Sequence, residues 1–424
     1  MKPKSDPITR TVESNLCTGC GVCSGLFPEF IKMVDDEING RRPVVTQSEE
    51  GHAAARMALG ACAGVGADHD DLPVADQVDR DWGPVLKVWE GWARDEEIRF
   101  RGSSGGAVTG IAASLLANGV AERVLHVAQR ADDPRLNEAV ISRDREGLMR
   151  GVGSRYAPAA PGEKLADAAL EPGQFAFIGK PCDVASVARM GKVDPHLTEK
   201  CAATISIFCA GAPNIAATNR LLDRLSVPKD AIVTDLRYRG QGWPGMMQAT
   251  YRDAQGAEHQ SDAVSYGEGW GRVLQAGRKW RCRICADHTG EFADISVGDP
   301  WDTPPKCNMD AGRSLIVART QRGIEIVEEA IRSGHLIARE TARDRIAKAQ
   351  PNLLDTRGSV FGRRLAMRLV GLPVPQDRGL NSFALWRSHL SLKRKAQSVA
   401  GSLKRILKAR LWRPVRITPY EAGQ

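Results

Sequence analysis

FAFIGKPCDVASVARM, residues 175–190, reads as a strand, a turn and a helix in succession. The same alternation extends outward in both directions. Strand-like runs stand at Val85–Trp92, Arg123–Ala128, Ala139–Ser142, Thr204–Phe208, Ile232–Leu236, Ile295–Val297 and Leu315–Ala318. Helical stretches separate several of them. One is the Ala/Leu run in RGSSGGAVTGIAASLLANG (101–119), which ends at Asn118–Gly119, a plausible C-cap. Such alternation predicts a mixed α/β body. The run from Cys201 to Ala217 is the most continuous apolar stretch, but Pro213 and Asn214 interrupt its end, so it reads as a buried strand and a turn.

Length and composition frame that body. The chain has 424 residues, 42% hydrophobic and 26% charged, enough for two or three domains with substantial cores. No stretch long enough to cross a membrane is expected, and the polar N-terminus lacks the apolar core of a secretory signal. The expected location is cytoplasmic. The net charge of +8 is local. Nine Lys or Arg residues and no acid lie between Arg387 and Arg413, which leaves the rest of the chain near −1.

Residues 1–75 give few strand signals; Ala53–Leu59 reads as a short helix. Their chemistry lies in CTGCGVC (17–23). The C-x2-C-x2-C spacing lets one loop wrap three corners of an iron–sulfur cube. Cys17, Cys20 and Cys23 are therefore the expected ligands of a 4Fe–4S cluster, with Cys62 in GACAGVG as the fourth. Ala63 and Gly64 follow Cys62, where ferredoxin-type fourth ligands are usually followed by proline. Zinc more often takes cysteines in pairs, so a triplet suits it poorly. The remaining cysteines are scattered. Cys182 lies in the opening strand–turn–helix, Cys209 ends TISIFCAG, and Cys282 and Cys285 form CRIC. A lone C-x2-C serves zinc, a redox dithiol or half a cluster, and a cysteine ending a buried strand is commonly a small core residue. Spacing alone does not join these four. RGSSGG (101–106) enters a helix and suits either a phosphate or a tightly packed cap.

Taken in order, SSGGAVTGIAASLLANG, GSRYAP, FIGKPCDVASVARM, ISIFCAG, YRGQGWPG and CRICADHTGEFADISVGD resemble the coenzyme F-420 hydrogenase/dehydrogenase beta-subunit family. That family also contains 7-hydroxymethyl chlorophyll a reductase and a ferredoxin-dependent divinyl chlorophyllide reductase. The resemblance covers about residues 14–345. It implies an oxidoreductase that binds FAD and 4Fe–4S clusters, two of them here. Cys182, Cys209, Cys282 and Cys285 become ligands of the second cluster, and Cys201 and Cys307 are spare thiols. Ser103, Ser104, Gly105 and Gly106 become FAD contacts, with Ser154, Arg155 and Tyr156 near the flavin and Lys180 beside it. Asp183 stands where members often carry Gln, and Arg155 where they often carry Lys.

The implied reaction runs from ferredoxin through the Cys17 cluster and the second cluster to FAD, and on to a small-molecule acceptor; the reverse direction, from a reduced deazaflavin coenzyme to ferredoxin, uses the same parts. Lys180, His288 and Asp299 are the candidate catalytic residues, and Asp287 is a further orienting group. His288 also suits a plain loop histidine, and Asp299 a turn cap. Arg239 and Trp243, in YRGQGWPG, lie where a loop can cover the flavin or simply turn.

The expected division is 1–78 (a ferredoxin-like iron–sulfur segment), 79–160 and 161–345 (the family's flavin and second-cluster regions) and 346–424 (a helical basic tail). The tail interleaves apolar and basic residues, which suits a packed helix or a peripheral contact with the inner membrane face. Nucleic acid is not expected as a partner; an oligomer is compatible. Two other classes are carried. One is the beta subunit of a larger hydrogenase/dehydrogenase complex. The other is a zinc-stabilised binding protein without redox chemistry.

Overall fold

A computed structural model describes residues 5–72, 78–303, 305 and 310–420. Cys307 lies outside the described residues. The body is an eight-stranded mixed sheet. In chain order its strands are β1 (Lys87–Ala93), β2 (Arg123–Gln129), β3 (Asn137–Ser142), β4 (Phe175–Gly179), β5 (Cys201–Ile207), β6 (Ile295–Gly298), β7 (Ser314–Ala318) and β8 (Leu336–Thr341). Their spatial order is β8-β1-β7-β6-β5-β4-β2-β3. The centre, β6-β5-β4-β2, is parallel, and both flanks are antiparallel. Phe175, Ala176 and Phe177 of β4 are fully buried, as a central parallel strand covered on both faces requires.

Two layers cover the sheet. On one side helix α1 (Ala107–Ala117) lays Ile111, Ala112 and Leu115 against Val124, Ala176, Ile205 and Ile316. On the other, helix α2 (Pro181–Ala188) lays Val184 and Val187 against Phe175 and Phe177, joined by Cys20, Val22 and Ala61 from the N-terminal segment. Fully burying a side chain of the size of Phe177 contributes about 2–3 kcal/mol. β1 lies between β8 and β7, so a strand from the 79–160 region is built into a sheet supplied mostly by residues 161–345.

The N-terminal segment contains helices at Pro7–Glu13, Val22–Leu26 and Glu49–Ala58, and an antiparallel hairpin of Ile31–Val34 with Arg42–Val45. The hairpin corrects the expectation of a strand-poor segment. Its strands have four residues each and Pro43 sits in one, which leaves little apolar run to read. A small second sheet, Ile232–Arg237, Met246–Arg252, Glu258–Gln260 and Val264–Ser265, encloses Leu236, Tyr238, Met247 and Trp270.

The tail is helical as expected. Helix α3 (Leu353–Leu369) and helix α4 (Leu392–Ala409) pack on each other. Ile406 of α4 and Met367 of α3 share an apolar cluster with Leu16, Trp280 and Ile284. Val360 of α3 lies in a second cluster with Ala63, Ala185 and Ala286. The tail therefore closes over chain neighbours of Cys17, Cys62, Cys182, Cys282 and Cys285 rather than standing free. Among the described residues no helix is long and apolar enough to cross a membrane.

Candidate functional site

The parallel strands point their carboxyl ends at one cavity of about 300 Å³. It receives Lys180 after β4, Phe208 and Cys209 after β5, and Asp299 after β6. The crevice beyond the carboxyl ends of parallel strands is where open α/β sheets bind ligands. The N-terminus of α1 enters from the side. Ser103, Ser104 and Gly106 line the cavity; Gly105 does not. Gly105 is packed instead against the backbone of Arg313, where a Cβ would come within 2.7 Å of the Cα. Ser104 Oγ donates to the carbonyls of Gly298 and Arg313, at 3.3 and 3.0 Å, and so ties the loop down. Ser103 Oγ is buried and has no partner among the described residues. A buried hydroxyl beside a helix N-terminus fits a polar or anionic group on a bound cofactor.

Ser154, Arg155 and Tyr156 also line the cavity. Arg155, however, spends its guanidinium on the protein. It donates to Asn137 Oδ1, Gln129 Oε1 and the carbonyls of Pro134 and Leu236. Its role is to anchor the cavity wall to β3 and the small sheet. Asp299 is similarly engaged. Its Oδ1 accepts from Arg239 Nη2 at 2.6 Å and Trp243 Nε1 at 2.8 Å, and its Oδ2 accepts from Arg239 Nη1 at 3.0 Å. This pair holds the Tyr238–Gly245 loop over the cavity. Arg239 is 4% exposed and faces the rings of Tyr266 and Trp301 at 4.9 and 5.2 Å. Burial disfavours its charge, but Asp299, together with Tyr156 and Tyr266, offsets burial and raises its pKa above the ordinary arginine value.

Tyr156 belongs to an aromatic wall whose other members, Tyr266, Trp270 and Trp301, the sequence does not single out. Tyr266 stacks on Trp301 with ring centroids 5.0 Å apart and planes at 14°, and Tyr156 lies 4.8 Å from Trp270. All four rings line the cavity. Single aromatics in loops carry no periodicity; their neighbourhood to YRGQGWPG and VGDPW was the available signal.

Lys180 Nζ donates to Asp183 Oδ2 at 2.6 Å. Burial opposes its charge, yet Asp183 and the Cys182 sulfur outweigh burial and raise the pKa. The ammonium therefore persists at neutral pH. Asp183 Oδ2 also accepts the Lys180 backbone N–H at 2.9 Å, capping α2. That pairing is the local consequence of Asp at this position. His288 contacts the Cys209 carbonyl through Nδ1 at 3.0 Å. Its Nε2 is buried and has no partner among the described residues. Burial pushes its pKa down to about 4, so the ring is neutral at pH 7. Asp287 accepts the backbone N–H groups of Thr289, Gly290 and Glu291, and so shapes the loop after CRIC.

The fold brings the cysteines into two groups of four. Cys17, Cys20, Cys23 and Cys62 line one small cavity. Gly19 and Gly21 have φ of +77° and +82°. A Cβ on Gly19 would stand 2.6 Å from the Arg41 carbonyl, so the loop requires glycine there. Burial and the neighbouring thiols push Cys62 up to about 12 and Cys23 well above an ordinary thiol. Cys182, Cys209, Cys282 and Cys285 form the other group, in which neighbouring sulfurs disfavour the ionisation of Cys182, Cys209 and Cys285. Burial is again the larger cause, with Cys209 raised to about 12 and Cys285 to about 11. Backbone N–H groups of Gly211 and Ala212 point at the sulfurs of Cys209 and Cys282, at 3.3 and 3.5 Å. Arg281, 6% exposed, leaves Nε and Nη1 without partners among the described residues. Donors aimed at sulfur, and a buried cation beside it, fit four thiolates around an inorganic core. Among the described residues no three His, Cys, Asp or Glu side chains close tightly enough to hold a single metal ion.

One helix links the two groups. Cys182 begins α2, and Ser186, four residues on, touches the other group. Ser186 Oγ accepts from the Ala63 N–H at 3.1 Å and lies 3.5 Å from Cys20 Sγ. Four residues of helix advance about 6 Å. Cys209 also lines the large cavity. The order in space is therefore cavity, Cys182–Cys285 group, α2, Cys17–Cys62 group. Cys201 stands apart, buried in the core beside Phe175.

A mixed sheet with a cavity at its parallel carboxyl ends and thiol foursomes behind it defines an α/β class of architecture with a ligand crevice and clustered thiols. Residues 88–166 match the N-terminal part, and residues 173–344 the C-terminal part, of the family described as Coenzyme F420 hydrogenase/dehydrogenase, beta subunit. The chain belongs to this family of oxidoreductase components. It is 22% identical over 263 residues to the coenzyme F420 hydrogenase subunit beta of Methanothermobacter thermautotrophicus, which covers 59% of this chain and 83% of that protein. It shares its fold with a chain of the F420-reducing [NiFe] hydrogenase complex from Methanosarcina barkeri, at a TM-score of 0.51 and 20% identity. That alignment covers 68% of this chain and 95% of the other. The first cysteine group and helices α3 and α4 lie outside the matched family regions.

Proposed function

We propose that the protein is an electron-transfer oxidoreductase subunit of beta type, working with partner proteins. In this reading it holds FAD in the large cavity and a 4Fe–4S cluster in each cysteine group. When bound, the clusters supply one-electron steps and the flavin exchanges one or two electrons. The observation that carries the reading is the Cys182–Cys285 group, which borders the cavity through Cys209 and reaches the other group across one turn of α2. The thiols in neither group converge on one point. Zinc, about 2.3 Å from each sulfur, asks for that convergence, whereas a cube does not.

The chain's own residues have defined tasks. Ser103 and the N-terminus of α1 bind a polar group of the cofactor. Lys180, kept charged by Asp183, offers a fixed cation where negative charge develops. His288, neutral and with Nε2 free to accept, positions the Cys209 side of the cavity and can take a proton. Asp299 acts through Arg239 and does not donate a proton, because both its oxygens are engaged. Tyr266 and Trp301 supply flat surfaces for a planar ligand and keep water out. The exchange partner is ferredoxin, a deazaflavin coenzyme or a neighbouring subunit, and the acceptor is a small molecule.

Anaerobic purification with iron, sulfide and flavin analysis tests the reading. About eight irons and one FAD per chain are expected. Four irons would remove one cluster. A colourless protein containing zinc and little iron would overturn the redox reading. Co-purification from the native source distinguishes a subunit, which elutes in a larger assembly, from a stand-alone enzyme.

A further inference from the structure

Four arginines from three parts of the chain crowd the outer side of the CRIC loop. Arg278 packs on Gly211 and Cys282; a Cβ on Gly211 would meet Arg278 Cδ at 2.7 Å and Cys282 Cβ at 3.2 Å. Arg283 follows Cys282 directly, and its carbonyl accepts from Arg363 Nη1 of α3 at 2.6 Å. Arg405 of α4 is exposed and precedes Ile406, which is buried beside Trp280, Ile284 and Met367. Lys404 and Lys408, also exposed, extend the same face of α4. None of these six cations pairs with a carboxylate among the described residues.

Arg155 and Arg123 also lack a carboxylate among the described residues, but each is enclosed singly by carbonyl and amide oxygens, and other surface arginines are ion-paired. Arg41 pairs with Asp35 and Glu163, and Arg145 with Asp95 and Glu97. The crowding beside the CRIC loop has an electrostatic cost. Burial, followed by repulsion from Arg278, Arg405 and Arg283, lowers Arg363 to about 10. A face of one sign with no internal complement calls for an external one.

We infer that this face, built by Arg278, Arg283, Arg363 and Arg405, is the docking surface for the acidic side of a one-electron carrier protein. The inference rests on the redox reading above and deepens it by naming the contact. It also reassigns the basic tail. Val399, Leu403 and Ile406 of α4 are turned toward the body, so the apolar stripe of the helix is spent on packing, and Leu392 and Leu407, more than three turns apart, are the large apolar side chains it exposes among its charges. Arg283 adjoins Cys282 in the chain, and Arg278 and Cys282 both pack on Gly211, two residues after Cys209. Electrons therefore cross at the cavity-side group, rather than at the Cys17 group where the sequence reading puts them. Each reduced carrier loses one electron and leaves oxidised. Two dockings and one solvent proton supply a hydride equivalent.

The test uses the full-length holoprotein and stopped-flow bleaching of its visible iron–sulfur absorbance. An acidic 2[4Fe–4S] ferredoxin is one reductant; dithionite, which needs no docking, is the other. With ferredoxin the bleaching rate is expected to fall steeply as salt rises. In R405E/K408E, two exposed positions on α4, the rate at low salt is expected to drop at least tenfold and its salt dependence to flatten. Dithionite is expected to bleach both proteins alike. An unchanged ferredoxin rate overturns the proposal. So does a variant whose cluster midpoint potentials shift while the ferredoxin rate holds, because the arginines then only balance the cluster's charge. Flotation of the wild type with phosphatidylglycerol vesicles that ferredoxin cannot compete away assigns the face to lipid and overturns it too. A protein with nothing for dithionite to bleach fails at the redox reading, not at the docking surface.

Discussion

The two cysteine groups hold the same four side chains and are built by opposite means. The Cys17 group takes three thiols from one seven-residue loop and adds Cys62. Its geometry is local, set by glycines that let the backbone turn tightly. The Cys182 group draws on the start of α2, the end of β5 and the CRIC loop, and only the sheet brings them together. Local geometry can be read from a spacing; assembled geometry cannot. The assembled group is the one that touches the cavity.

The strongest challenge to that comparison is removal of one thiol from each group. Cys20→Ser should halve the iron and leave the cavity-side group spectroscopically intact. Cys209→Ser should also halve it, and should in addition abolish electron delivery to a flavin in the cavity. Iron analysis with rapid flavin-reduction kinetics checks both. Equal loss of flavin reduction in the two variants would break the assigned order in space.

Next in size is the pair that roofs the cavity. Asp299→Asn leaves Arg239 buried without its counter-charge, and breaking such a pair costs about 3–5 kcal/mol. Chemical denaturation should register this, with cavity-ligand affinity falling alongside it. A loss below about 1 kcal/mol would mean that the loop is not held by this pair.

The glycines sharpen the local-versus-assembled contrast. Gly19→Ala imposes a left-handed φ on alanine and drives its Cβ into the Arg41 carbonyl, so it should cost about 2–4 kcal/mol and loosen the Cys17 group. Gly211→Ala has a φ of +124° but meets chiefly the flexible Arg278 side chain. Its cost should be the smaller of the two in the same denaturation experiment.

The smallest effect concerns pH. Burial lowers His126, on β2, to about 4, as it does His288. A histidine kept neutral in the folded state is protonated first in the unfolded one. Stability therefore falls as pH drops from about 6.5 toward 4, and rises again with pH across that window. At pH 5.5 each ring accounts for about 1.4 kcal/mol. Asp287, raised by burial to about 6, acts in the opposite sense across part of this window, so His126→Asn should remove one ring's share of the slope, as measured by denaturation between pH 4.5 and 7. An unchanged slope would mean that the ring is already charged in the fold.

Much of the sheet was legible because its central strands are buried on both faces and read as apolar runs. β4 and β5 are the clearest cases. β8 was not legible: LIARET is an edge strand, and only Leu336 in it is fully buried. The N-terminal hairpin was hidden by its short strands and Pro43. At the site, the Cys17 triplet announced itself, while Cys182, Cys209, Cys282 and Cys285 were joined only by family resemblance, and the fold brings the four together. Arg155 and Asp299 line the cavity, but their polar atoms serve the protein. No spacing rule distinguishes a side chain that faces a ligand from one that braces the wall.

The split origin of the cysteine groups also sets an order of manufacture. A ribosome releases the four thiols of the first group within one short stretch, Cys17 to Cys62. The second set is incomplete until Cys285 has emerged, and α3, which covers Ala63, Ala185 and Ala286 together, comes later still. Non-local pairings of this kind form late and slowly. During synthesis the cavity-side thiols are therefore the last to find one another, and the ones longest open to oxidation or to capture of the wrong metal.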